Sequence, residues 1–446
     1  MMNYVRYPEY KDSGVAWLGE VPAHWETRRL KYAAPLRNIK IVAGESHLPY
    51  IGLENIESWS GKYVVQDEAN DSEGLSSRFG PGDVLFGKLR PYLAKAFLAN
   101  FEGACSSELL VLQGKGVQPE FLVRFVLSVG FIREVDSTTY GAKMPRASWD
   151  FIGNLPVTLP PTAEQSAIAA FLDEKTTQID QLIEKKTRFI ELLKEKRAAL
   201  ITEAVTGKFD ARPPGKGEVP ESAGSGFGVR TGKPYAEYKD SGVGWLGEVP
   251  AHWKTRRLKY AAPLRNIKIV AGESHLPYIG LGNIESWSGK YVVQDEANDS
   301  EGLSSSFYPG DVLFGKLRPY LAKAFLADFE GMCSSELLVL QGKGVQPEFL
   351  VRFVLSVGFI REVDSSTYGA KMPRASWDFI GNLPVTLPPT AEQSTITAFL
   401  DKKTTQIDQL IKTTQQSINL LKEKRAALIT AAVTGKIDVR DYKQTR

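Results

Sequence analysis

The chain has 446 residues, 24% of them charged and 43% hydrophobic, and a formal net charge of +3 at pH 7. That length supports two or three domains with their own cores, and the near balance of charge leaves affinity for a polyanion to local basic clusters. Two cysteines, Cys105 and Cys333, exclude a disulfide scaffold and suggest a reducing cytoplasm; no apolar run approaches the roughly 20 residues of a membrane span, and residues 1–6 lack the apolar stretch of a secretory leader.

Residues 15–158 are dense in turns and short apolar runs. Leu48-Pro-Tyr-Ile-Gly-Leu, Tyr63-Val-Val, Asp83-Val-Leu-Phe, Glu108-Leu-Leu-Val-Leu and Leu155-Pro-Val-Thr-Leu read as strands. Gly82 to Lys88 fits the first seven positions of a phosphate-binding loop, G-x-x-x-x-G-K. Leu89 stands where that loop needs Ser or Thr for magnesium, and residues 83–86 read as strand rather than loop. A nucleotide is therefore not expected there. Lys88, Arg90, Tyr92 and Lys95 instead form a basic, tyrosine-bearing rim interrupted by Pro91. Residues 120–135, with Phe121, Leu122, Phe125, Val126, Phe131 and Ile132, read as one helix. Tyr140, Lys143 and Arg146 lie in Thr139-Tyr-Gly-Ala-Lys-Met-Pro-Arg, whose Gly and Pro suggest an exposed loop. Arg28-Arg29-Leu-Lys31 with Arg37-Asn38-Ile-Lys40 is a third, weaker basic cluster.

After Pro160-Pro161, Thr162 and Gln165 suggest a capping box, so a helix begins there. Leu172, Thr176, Ile179, Ile183, Lys186, Ile190, Leu193, Arg197, Leu200 and Ala204 alternate steps of four and three, a heptad seam of about 50 Å. Gly207 marks its end. The Gly/Pro-rich stretch 211–236 reads as a linker.

Then the chain repeats itself. Residues 9–210 align with 237–438 at a constant offset of 228 without a gap, and the copies differ at 20 of 202 positions. The second copy carries Lys316, Arg318, Tyr320 and Lys323, then Tyr368, Lys371 and Arg374. Its seam includes Leu400, Ile407, Ile411, Ile418, Leu421 and Leu428. Two such seams in one chain are natural partners. Identical faces favour a self-complementary, antiparallel pair with the globular parts at opposite ends.

The stretch Leu159-Pro-Pro-Thr-Ala-Glu-Gln-Ser-Ala-Ile-Ala-Ala-Phe-Leu-Asp, with Ile179-Asp180, Lys194-Glu-Lys-Arg-Ala-Ala-Leu-Ile and Ala204-Val-Thr-Gly-Lys, resembles the helical region of specificity subunits from type I restriction–modification enzymes. Tyr10-Lys-Asp-Ser-Gly-Val-Ala-Trp-Leu-Gly-Glu-Val-Pro-Ala-His-Trp and the stretch 82–93 resemble parts of their target recognition domains. The match recurs in the second copy and covers nearly all of the chain except the linker.

This resemblance implies an α/β (α+β) fold of two target recognition domains separated by two long antiparallel, coiled-coil-like helices. The expected division is recognition domain one at 1–158, spacer helix one at 159–210, linker at 211–236, recognition domain two at 237–386, spacer helix two at 387–438 and a tail at 439–446. It also implies a chain that reads a split site on double-stranded DNA and docks two methyltransferase subunits, with restriction subunits in nuclease-bearing assemblies, and that has no membrane partner. S-adenosylmethionine is expected in the methyltransferase partners, which methylate a flipped adenine; no cofactor is expected in this chain.

The residues agree with a non-catalytic role. The Pro-Pro pairs at 160, 213 and 388 lack the flanks of an Asn/Asp-Pro-Pro-aromatic methylase motif. Asp83 and Glu108 lack the following Lys of a nuclease centre, and the His and Cys residues lack ligand spacing. Three other readings remain open at this point, a specificity subunit of a stand-alone adenine methyltransferase, an enzyme with its own nuclease or methylase centre, and an architectural tether without sequence preference. Because the copies are nearly identical, the expected target is an interrupted inverted repeat.

Overall fold

The computed structural model describes residues 5–42, 47–65, 74–211, 234–270, 276–293 and 303–442. Most of the expected linker, residues 212–233, lies outside the described residues, as do residues 1–4 and 443–446. Two compact units emerge, Met1–Thr187 with Gln415–Arg446, and Arg188–Thr414. Each therefore joins one copy's globular part to portions of both long helices.

In the first unit, Asp83–Gly87 is the central strand of an antiparallel sheet, flanked by Leu109–Gln113 and Ala96–Leu98. All five of its residues are buried, which accounts for the uninterrupted apolar run. A second sheet orders Lys40–Val42, Leu75–Phe79, Gly103–Cys105 and Tyr50–Ile51, with only the last pair parallel. Pro156–Leu159 pairs with Glu26–Arg29 just before the long helix. Phe86, Phe121, Phe125 and Phe131 pack edge-on or stacked in the main core.

The single helix expected over 120–135 is two helices, Pro119–Val126 and Val129–Ser137. Ser128 is extended at the break (φ −70°, ψ 144°). The Val129 N–H freed by the break donates to the Thr430 hydroxyl at 3.0 Å, so a tertiary partner replaces a helical one. The second unit repeats this break, with the Val357 N–H donating to Thr202 at 2.9 Å.

The long helices are Thr162–Val205 and Thr390–Val433, 44 residues each. Neither contains Gly or Pro, so nothing local interrupts them. The first starts where expected, but not by a capping box. Gln165, 2% exposed, donates to the Pro160 carbonyl at 2.8 Å and accepts from the Gln118 N–H at 2.7 Å. Its side chain thus fastens the helix start to Pro119–Val126. The helix ends before Gly207, whose φ is +74°. A Cβ there would lie 2.3 Å from Pro250 and 3.0 Å from the Trp253 ring, so both conformation and space demand glycine.

The seams are buried within each unit. In the first, Leu172 and Ile179 share a core with Leu428, and Ile183 and Leu421 pack against it. In the second, Leu193 and Leu200 share a core with Leu400 and Ile407, joined by Ile411. Ile190 and Ile418 are buried as well. Asp180 accepts from Arg425 at 2.9 Å in the first unit, and Asp408 from Arg197 at 3.0 Å in the second. Within the first unit the Thr158 hydroxyl, four residues before helix one, donates to the Val433 carbonyl at 2.7 Å while Asp180 meets Arg425, so helix-two partners fall as helix-one residues rise and the two helix segments run antiparallel. Since 425 and 408 are the repeat equivalents of 197 and 180, one pair is the other with its roles exchanged. Among the described residues no helix is long and apolar enough to cross a membrane.

Candidate nucleic-acid interface

The strand Asp83–Gly87 delivers Lys88 and Arg90 to its exit. A 3₁₀ turn, Pro91–Leu93, follows, and Tyr92 projects from it, 46% exposed. The loop 141–145 is closed by reciprocal hydrogen bonds between Tyr140 and Arg146, both at 3.0 Å. Its Gly141 sits at φ +91°, and Tyr140, Lys143 and Met144 are exposed.

The fold joins these two segments, which the sequence presents separately. The Arg90 N–H donates to the Pro145 carbonyl at 2.7 Å, and the Ala147 N–H to the Lys88 carbonyl at 2.9 Å. Leu89 bridges Arg146. Lys88, Arg90, Tyr92, Tyr140 and Lys143 therefore belong to one continuous surface. The second unit builds the same surface from Lys316, Arg318, Tyr320, Tyr368 and Lys371, with Arg318 donating to Pro373 at 2.7 Å.

Two members of the sequence clusters have internal tasks. Lys95 Nζ donates to the Leu53 carbonyl at 2.6 Å, and burial pulls its pKa down, against the pull of Glu54. Lys323 makes the equivalent bond at 2.5 Å and is lowered by burial with Gly282 in place of that carboxylate. Arg146 Nε reaches both oxygens of Glu108 at 3.1 Å, and Arg374 does the same to Glu336. By contrast, Lys88, Arg90 and Lys143 make no side-chain hydrogen bond or ion pair among the described residues, and neither do Lys316, Arg318 and Lys371. Three cations on each of these surfaces thus remain available to an outside anion.

The third basic cluster is dispersed. Arg28 pairs with Glu26, Arg29 bonds Asn154, Arg37 grips Asp83 at 2.7 Å, and Lys40 bonds Ser77. Asp83 and Glu108 are both tied to arginines, and no group of three or more metal-ligating side chains occurs among the described residues. Cys105 and Cys333 are free and buried, and burial pushes each thiol up to about 12.

Backbone geometry marks the same surface. Arg90 is left-handed, at φ 48° and ψ 60°, immediately before a proline. A non-glycine residue there costs about 1–2 kcal/mol, and a following proline disfavours it further by pressing its neighbour toward extended backbone. Among the described residues of this unit the other non-glycine residues at positive φ are Trp59 and Ala94. The sequence carried no signal for these. It did carry one for Arg197 and Arg425, which are charged residues at seam positions.

The comparisons with known proteins agree with one another. Residues 250–420 match the family described as type I restriction modification DNA specificity domain. The equivalent residues of the first copy are 22–192. The chain is 22% identical over 424 residues to the type I restriction enzyme EcoDI specificity subunit of Escherichia coli, covering 94% of this chain and 90% of that one. It is 20% identical over 455 residues to the MjaVIII specificity subunit of Methanocaldococcus jannaschii, covering 94% and 95%. A solved chain from work on complex assembly and conformational transition of the type I R-M system shares the fold, with a TM-score of 0.65 at 18% identity over 93% of this chain and 98% of that one.

Proposed function

We infer that this chain is a specificity subunit of a type I restriction–modification system, the non-catalytic subunit that recognises its DNA target, a reading supported by its similarity to such subunits. Its recognition domains span 1–158 and 237–386, its spacer helices 159–210 and 387–438. Each domain meets one half of a split duplex site through the joined surface of Lys88, Arg90, Tyr92, Tyr140 and Lys143, or the equivalents in copy two. The observation that carries this is the set of three cations on each joined surface that have no partner among the described residues, set beside exposed tyrosines where a strained turn meets a braced loop. Lysine and arginine hold phosphates, and arginine can read guanine by a paired hydrogen bond in the major groove. Lys95 and Arg146 (with Lys323 and Arg374) are engaged by partners inside the domain and support that surface rather than supply its free charges.

The long helices dock two methyltransferase subunits, which bring S-adenosylmethionine and the adenine chemistry; restriction subunits complete a nuclease-bearing assembly. The setting is the bacterial or archaeal cytoplasm, where the genome lies. The contacts Asp180–Arg425 and Arg197–Asp408 are repeat equivalents with the two helices exchanged, so the two units are built alike. The site residues on the two surfaces are identical at every equivalent position. The target is accordingly an interrupted inverted repeat. Co-expression with the methyltransferase subunit, followed by methylome sequencing, tests the reading. Methyladenine in one split motif, lost when this chain is deleted, is expected; methylation unchanged without the chain would overturn it.

A further inference from the structure

Arg425 is 7% exposed, yet it sits on a helix seam among apolar side chains. Its guanidinium donates to three acceptors, Asp180 Oδ1 at 2.9 Å, the Trp59 carbonyl at 2.7 Å and the Ser60 carbonyl at 3.1 Å. Lys62 takes the other Asp180 oxygen at 3.0 Å. One arginine thus clamps the first long helix, the second long helix and the loop at 59–62.

The loop leads onward. Trp59, held at φ 63°, donates its N–H to the Ala94 carbonyl at 2.9 Å. Ala94, at φ 46°, closes the turn Pro91–Leu93 by donating to the Pro91 carbonyl at 2.8 Å. Arg90, at φ 48°, opens that turn. The three left-handed non-glycine residues among the described residues of the unit therefore lie on one line from the helix pair to the cation surface. Such conformations persist only where surrounding contacts over-determine them, and they gather at functional sites.

The second unit repeats the line with the helices exchanged. Arg197 reaches Asp408 at 3.0 Å, the Trp287 carbonyl at 2.7 Å and the Ser288 carbonyl at 3.2 Å, and Trp287 donates to Ala322 at 2.9 Å. Arg197 follows the first recognition domain in the chain but braces the loop of the second; Arg425 follows the second and braces the first.

We propose that Arg425 and Arg197 are positioning residues for base reading: each fixes, through Trp59 or Trp287, the turn that carries Arg90 or Arg318 in the recognition domain of the other copy. This rests on the DNA-reading function proposed above. Burial lowers the pKa of both guanidiniums, opposed by Asp180 and Asp408, which fits groups held by dedicated partners rather than by water. Planar forked donors are needed to serve a carboxylate and two carbonyls together, and lysine cannot replace them.

The doubling supplies an internal control. The full chain, assembled with its methyltransferase subunits, is offered three duplexes: the intact target, one with a single half-site substituted, and one with both substituted. Arg425→Met leaves Asp180 paired with Lys62, and is expected to methylate the singly substituted duplex about tenfold better, relative to intact, than the unaltered chain does. It still rejects the doubly substituted duplex, because the second domain stays rigid. Arg197→Met behaves alike, the double variant accepts all three, and Arg425→Lys does not restore selectivity. Asp180→Asn, which keeps side-chain volume, gives the same relaxation if Arg425→Met does not fold. Unchanged ratios, or an equal loss on all three duplexes with an unchanged helical melting curve, would overturn the proposal. An unaltered chain that fails to separate intact from doubly substituted DNA would instead sink the underlying function.

Discussion

At the residue scale, charge alone does not identify a contact. Lys88 and Lys95 lie seven positions apart in one basic run, yet Lys95 spends its ammonium on the Leu53 carbonyl while Lys88 has no internal partner. Arg146 is held by both oxygens of Glu108, whereas Lys143, three residues away, is exposed on the loop. Different losses follow. Lys143→Ala removes one phosphate-class cation, so binding should weaken evenly across sequences and the log–log salt slope should fall by about one. Arg90→Ala removes the forked donor on the strained turn, so selectivity should relax at one base pair by about 1–3 kcal/mol, read by competition with substituted duplexes. The buried thiols make a separate prediction. Their folded pKa of about 12 lies above the ordinary value of 9.0, so the folded state holds the proton more tightly. The stability they contribute is present in full below pH 9 and is lost as pH rises toward 12. Chemical denaturation across that window should show falling stability, and a thiol reagent at pH 8 should label neither cysteine until the chain unfolds.

At the scale of elements, the ends and interruptions of helices are where this chain spends its special residues. Gly435 has φ +72°, and a Cβ there would lie 2.2 Å from Pro22. Gly435→Ala should therefore destabilise the unit by about 2 kcal/mol or more, through strain and a clash with a ring that cannot rotate away. A lowered midpoint in urea with an unchanged slope would register it. The break at 127–128 shows the reverse economy: a helix lost locally is compensated by a hydroxyl from a distant helix. Between copies, nine of the 20 differences fall in 172–204 or its equivalent, clustered where Glu184-Lys-Lys-Thr-Arg-Phe189 becomes Lys412-Thr-Thr-Gln-Gln-Ser417. These residues are mostly exposed, so the seam survives the changes.

At the scale of the whole molecule, the governing fact is duplication with reciprocity. The surfaces carry identical site residues, and the recognition-domain differences lie elsewhere. Arg78 pairs with Glu102 while its counterpart Ser306 is buried, and Tyr308 lies under Arg265, its ring centroid 4.6 Å from the guanidinium carbon. Glu54 acts on Lys95, which faces inward. The two half-sites should therefore be the same sequence on opposite strands, with centres about one helical turn, roughly 10 bp, apart. Methylome sequencing should find methyladenine on both strands in one shared context. A motif with two unrelated halves, or with the halves in direct repeat, would refute this.

Much of the chain was legible before any coordinates. The doubling shows on comparing the chain with itself at an offset of 228, and the strand at 83–86, the extent of the long helices, their seams and the glycine at 207 follow from patterns within a few residues of each other. Side-chain periodicity and backbone propensity act locally, so sequence displays them. The interface did not yield in that way. Its joining of 88–93 to 140–146 depends on the Arg90–Pro145 and Lys88–Ala147 hydrogen bonds, made across more than 50 positions. Which cations remain free was decided by where Leu53 and Glu108 came to rest, and the N–H freed where the helix over 120–135 divides is satisfied by a hydroxyl at Thr430. A hydrogen bond acts over about 3 Å, and only the folded chain brings such distant groups within that distance.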